Sequence, residues 1–120
     1  MVSVYADEAG ETHFADVELD FAVYPAEPPA PALEVSEPYA AKTFVVVRIP
    51  PDWKVQWHSP PQRQVWIGLS GSLRVTVSDG ETREIPPGVP WLMEDIVGKG
   101  HVTTATGREP AVGAVTQLVA

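Results

Sequence analysis

The stretch Gln64-Val-Trp-Ile-Gly-Leu-Ser-Gly71, continued by Ser72-Leu-Arg-Val-Thr-Val77, Ser78-Asp-Gly-Glu81 and Thr82-Arg-Glu-Ile85, decides the fold class. Leu73, Val75 and Val77 alternate with Arg74 and Thr76, which is the period of a strand with one buried face. Gly71 separates this strand from the β-rich run before it. Asp79-Gly80 tolerates the positive φ of a tight turn, so residues 73–77 and 82–85 read as a hairpin.

Outward from this hairpin the same grammar continues. Residues 43–49, 65–69 and 112–119 are alternating or β-branched runs bounded by turn residues. Residues 12–21 set Phe14, Asp16, Glu18 and Asp20 against Ala15, Val17, Leu19 and Phe21, the pattern of an edge strand. Residues 25–38 carry five prolines and read as an extended connector on the surface. Thirteen prolines and nine glycines cut the chain too finely for long helices, and no window sustains a 3.6-residue apolar period. Short strands with frequent turns imply an all-β barrel or sandwich.

At 120 residues the chain suits one domain with one core. It has no cysteine, which excludes disulfides, thiolate metal sites and cysteine nucleophiles, and fits a cytoplasmic location. No apolar run approaches the ~20 residues of a membrane span. The net charge of −8 repels phosphate backbones and argues against nucleic-acid binding. Acid is concentrated early: Asp7, Glu8, Glu11, Asp16, Glu18, Asp20, Glu27, Glu34 and Glu37 all precede Lys42, the first basic residue. A solvated acidic region is the simplest account, and a basic partner the other.

From Trp53 onward the sequence resembles the cupin superfamily. The first cupin motif runs glycine, five residues, His-x-His, three or four residues, glutamate, six residues, glycine. Here Asp52 stands for the opening glycine, His58 for the first histidine, Pro60 for the second and Gln64 for the glutamate, and Gly71 closes the motif. The second motif can be laid on the chain in two registers. One starts at Gly80, uses Pro86-Pro87-Gly88 as its turn and leaves Trp91 at the histidine position. The other starts at Gly88, rebuilds the turn from residues 94–100 and delivers His101. The second is preferred, because it leaves the 73–85 hairpin between the motifs and a turn at 106–110 before the closing strand.

The resemblance implies an all-β, cupin-type β-barrel (a double-stranded β-helix, or jelly roll) over residues 42–120. Residues 1–41 would supply an N-terminal edge strand and a Pro-rich arm packed on the barrel. It also implies a pocket. Strand alternation puts Gln64, Trp66 and Gly68 on one face and His101 with Thr103 on another, and if His58 points inward so does Pro60. Arg48 has no settled side. A cupin metal is ordinarily held by three histidines and a glutamate. This chain retains His58 and His101, with the amide oxygen of Gln64 as a third donor for any Fe, Mn, Ni or Zn.

Three functions are compatible with that pocket. The preferred one is a metal-independent enzyme of isomerase, cyclase or lyase type, with His58 and His101 as acid and base. In it Gln64, Trp66 and Thr103 would bind an apolar or conjugated small molecule. A metal-dependent oxygenase or isomerase with a reduced ligand set is the second, and a non-catalytic binding module the third. His13 reads as an edge-strand residue, or as a contributor to a neighbour's pocket. Glu94-Asp95 is a candidate carboxylate pair, for which turn capping beside Gly98 and Gly100 is the simpler reading. The apolar strands and long arm lead to the expectation of a homodimer.

Overall fold

A computed structural model describes residues 1–25, 27–53 and 55–120 of the chain. Its strands are β1 (Val2–Ala6), β2 (Thr12–Asp16), β3 (Phe21–Tyr24), β4 (Leu33–Ser36), β5 (Ala41–Ile49), β6 (Gln64–Ser70), β7 (Ser72–Val77), β8 (Thr82–Ile85), β9 (Pro90–Met93), β10 (His101–Thr106) and β11 (Ala111–Leu118). The class is all-β. No helix long and apolar enough to cross a membrane occurs among the described residues.

The strands form three sheets: a six-stranded one in the order β2-β1-β9-β6-β11-β5, a three-stranded one in the order β10-β7-β8, and the separate pair β3-β4. Among the described residues no ladder joins the two larger sheets, so they do not close there into one continuous barrel. They share a core instead. Trp66, Trp91, Ile49 and Ala111 of the larger sheet cluster with Leu73, Val75, Val77 and Ile85 of the smaller. Trp66 and Trp91 face each other across β6 and β9. At about 25 cal/mol per Å², burying each is worth on the order of 4–6 kcal/mol in gross transfer free energy.

Local sequence accounts for most of these elements. The Asp79-Gly80 turn joins β7 to β8 as the expected hairpin, with Val75 opposite Arg83 and Thr76 opposite Thr82. Glycine interrupts β11 at Gly113 for a packing reason. A Cβ there would lie 2.5 Å from the indole ring of Trp66, which fills that space.

The structure departs from expectation in the first third of the chain. The 12–21 run is broken after Asp16: Thr12–Asp16 forms β2, which is indeed an edge strand, and Phe21 already belongs to β3. Val2–Ala6, which carries no strong local signal, enters the main sheet by pairing parallel with β9. The expected connector over 25–38 contains β4, which pairs with β3 as a hairpin, though residue 26 lies outside the described residues. No residue of β3 or β4 is buried, so this hairpin stands off the sheets rather than packing on them.

Candidate functional site

A cavity of about 170 Å³ lies between the two larger sheets, lined by Val47, Ile49, Trp53, His58, Pro60, Pro61, Gln64, Trp66, Leu73, Trp91, Met93, His101, Thr103 and Val115. Every site residue expected from sequence is on that wall: His58, Gln64, Trp66, His101 and Thr103. Pleating explains the set. Gln64 and Trp66 share the inner face of β6, His101 and Thr103 share one face of β10, and Val47 and Ile49 share one face of β5. Arg48, between Val47 and Ile49, therefore points outward and is exposed.

His58 arrives differently from the way alternation suggested. Residues around it are not a strand, because Pro60 and Pro61 lack the N–H groups a ladder needs. A single antiparallel bridge to His101 holds it instead. The His101 amide donates to the His58 carbonyl at 3.0 Å, and the His58 amide returns a bond to His101 at 3.3 Å. Gly100 makes this approach possible. Its φ is +73°, and a Cβ there would run into the backbone carbonyl of His58. Beside it the buried hydroxyl of Thr12 donates to the Gly100 carbonyl at 2.7 Å, and the Lys99 amide donates to Gly10 at 2.9 Å.

The two imidazole rings lie 5.5 Å apart, centre to centre, and are tilted by 46°. His58 is largely exposed at the mouth, with its Nδ1 3.0 Å from the Gln56 carbonyl. His101 is buried and meets the ring of Trp91 edge-on at 5.1 Å. Its Nδ1 lies 2.6 Å from Oδ2 of Asp95, a side chain with no solvent exposure. An ionised Asp95 can only accept, so it pairs with a protonated Nδ1, while Nε2 has no protein partner among the described residues.

Asp95 is the functional candidate whose role sequence reasoning missed. The sequence offers it with Glu94 as a carboxylate pair or, more simply, as turn caps, but the two carboxylates part company. Glu94 faces outward, accepting from the Ser3 hydroxyl and pairing with Arg63 at 3.3 Å. Asp95 turns inward to His101. Its second oxygen, Oδ1, is buried and has no partner among the described residues. An unsatisfied buried acceptor costs about 1–3 kcal/mol, so its retention calls for a reason.

The remaining polar groups are few. The Gln64 amide nitrogen lies 3.2 Å from the Met93 sulfur. Trp66 and Trp91 both keep buried indole N–H groups with no partner among the described residues. Among the described residues the wall carries no Lys, Arg, Asp or Glu. His13 is elsewhere, on β2, bridging Asp7 at 2.7 Å and Asp79 at 2.8 Å. Those two carboxylates raise its pKa above the ordinary value, the Asp7 bond most of all.

No protein-family model matches the chain, and no curated protein matches it either. Among solved structures, protein NMB1881 from Neisseria meningitidis is similar at a TM-score of 0.46 and 16% identity, over 88% of this chain and 90% of that one.

Proposed function

We propose that the chain is a cupin-type jelly roll that binds a small, uncharged, apolar or conjugated molecule in this cavity and moves a proton on it. The observation that carries the reading is the buried Asp95–His101 contact beneath an apolar wall. A carboxylate on Nδ1 fixes the ring's orientation and tautomer, so that Nε2 is the free base. His101 Nε2 takes a proton from a carbon acid, and the electron pair passes into the guest's conjugated system. The proton returns at another atom, from His101 or from His58 at the mouth. Trp53, Trp66 and Trp91 supply flat apolar contact, and Gln64 and Thr103 orient the guest. Isomerisation, cyclisation and elimination all fit this scheme.

The metal ordinarily associated with the cupin pattern fits these residues poorly. The wall offers two imidazoles and one amide, with proline at a third ligand position, and among the described residues no carboxylate lines the cavity itself. Among the described residues no group of three or more acidic, histidine or cysteine side chains converges. Divalent metals are ordinarily held by a fuller and partly anionic set.

The test is hydrogen exchange. The protein is incubated in D₂O with neutral cyclic enones and β-dicarbonyl compounds, and loss of carbon-bound protons is followed by NMR. Catalysed exchange should fall by about 10²–10⁴-fold in His101→Asn, whose amide can keep the bond to Asp95 but lacks Nε2. Binding of the same compounds without any exchange would sink the catalytic reading and leave a binding module.

A further inference from the structure

Two apolar surfaces of this chain are left open, and they match each other. The first is the outward face of the large sheet. With Val47 and Ile49 turned to the cavity, Lys42, Phe44, Val46 and Arg48 share the other side of β5. Across the ladders Phe44 sits beside Thr116 and Val65, and Val46 beside Ala114 and Ile67. Phe44 is 66% exposed, Val46 59% and Leu69 62%. The strand itself is a sheet edge, paired on one side only.

The second surface is the β3-β4 hairpin. Its register puts Ala22, Tyr24, Leu33 and Val35 on one face, with no polar residue but the tyrosine hydroxyl. Tyr24 is 58% exposed and Leu33 50%. An isolated two-stranded hairpin is marginal in water, so this arm needs a surface to lie on.

Charge selects the occupant. Four of the eight cations of this acidic chain, Arg63, Arg74, Arg83 and Lys99, form ion pairs within it. Lys42 and Arg48 form none among the described residues and flank the apolar stripe on β5. The arm is the reverse. Glu18, Asp20, Glu34 and Glu37 surround its hairpin, and no Lys or Arg precedes Lys42. An apolar face edged with cations and an apolar hairpin edged with acids are complementary, and one chain carries both.

We infer that two copies of this chain associate about a two-fold axis, each laying its β3-β4 hairpin across the partner's outward β5-β11-β6 face. The contact is isologous, so each arm–sheet contact occurs twice. It is independent of the proposed chemistry, since none of these side chains lines the cavity.

The full-length chain is measured by sedimentation velocity and light scattering, alone and with Val46→Glu on the sheet or Leu33→Glu on the arm. Both side chains are exposed in the protomer, so circular dichroism should be unchanged. Val46→Thr and Leu33→Thr, which keep strand propensity, replace either glutamate variant if it unfolds. The wild type should be a dimer, and each glutamate variant should weaken it by about 100-fold or more. An equimolar mixture of the two variants should regain part of the association, because one intact arm still meets one intact sheet. A monomeric wild type at ~100 µM, or a dimer indifferent to both substitutions, overturns the inference.

Discussion

Asp95 and His101 form a buried pair, 2.6 Å from carboxylate oxygen to Nδ1, at the start of β10 and beneath the apolar cavity. Removing one member of such a pair strands the other without its partner. His101→Ala, which leaves a buried carboxylate unpaired, should cost about 3–5 kcal/mol in denaturant unfolding, and Asp95→Ala, which leaves a buried N–H unpaired, about 1–3 kcal/mol. The double variant should cost clearly less than the sum, because the stranded group is gone as well. Additive costs would show that the two side chains act separately.

The same pair predicts a tautomer. With Asp95 as acceptor, neutral His101 should carry its proton on Nδ1, which ¹⁵N-detected imidazole spectra read directly. Asp95→Asn still offers a carbonyl acceptor and should keep that tautomer. Asp95→Ala should release the ring and shift the population toward the Nε2–H form. Loss of exchange activity in Asp95→Ala together with that shift would identify Asp95 as a positioning residue, acting through His101.

Gly100 is the hinge on which His58 reaches the site. Gly100→Ala meets both a left-handed backbone angle and the His58 carbonyl, so the 58–101 bridge cannot survive intact. The expected cost is about 1–3 kcal/mol. Binding of the conjugated probes should weaken more than the core does, since Trp66 and Trp91 do not depend on that bridge. Near-ultraviolet circular dichroism and probe titration on one sample separate the two effects.

The donor set leads to a prediction for metals. Incubation with Fe(II), Mn(II), Ni(II) or Zn(II), followed by desalting and elemental analysis, should leave much less than one ion per chain. Stoichiometric metal that disappears in both His58→Ala and His101→Ala would instead make these histidines ligands. Asp95 would then be the carboxylate behind a ligating imidazole.

What could be read from the sequence follows from the range of the interactions involved. Gln64 and Trp66 were assignable to one inner face because pleating is local, and the Asp79-Gly80 turn carries its own geometry in two residues. His101 came from a motif spacing once residues 94–100 were allowed to rebuild a turn. Asp95 was hidden because its partner lies across that turn, where the positive φ angles of Gly98 and Gly100 bring the chain round, and no periodicity encodes such a reversal. Strand β1 was hidden for a related reason: its parallel pairing with β9 joins residues some ninety positions apart. The hairpin β3-β4 was obscured by composition, since prolines between two short apolar runs look the same in a connector and in a long hairpin loop.

His13 supplies a pH signature independent of the cavity. Asp7 and Asp79 raise its pKa above the ordinary 6.5, so its stabilising contribution is fully present below that value and fades as pH rises through the raised one. The aspartates move the other way. Bonded by His13 and by backbone amides, their pKa values lie below the ordinary 3.8, so their contribution is present above that value and fades as pH falls through the lowered ones. Wild type should therefore exceed His13→Gln in melting temperature most clearly between about pH 4 and 6.5. The gap should narrow at pH 9 and at pH 2. Because the cluster is solvent-exposed, the difference should be only about 1–3 °C and should shrink in high salt. A gap that widens toward pH 9 would mean that His13 contributes as a neutral ring, by packing against Tyr5 at 5.5 Å, rather than as the charged bridge between two carboxylates.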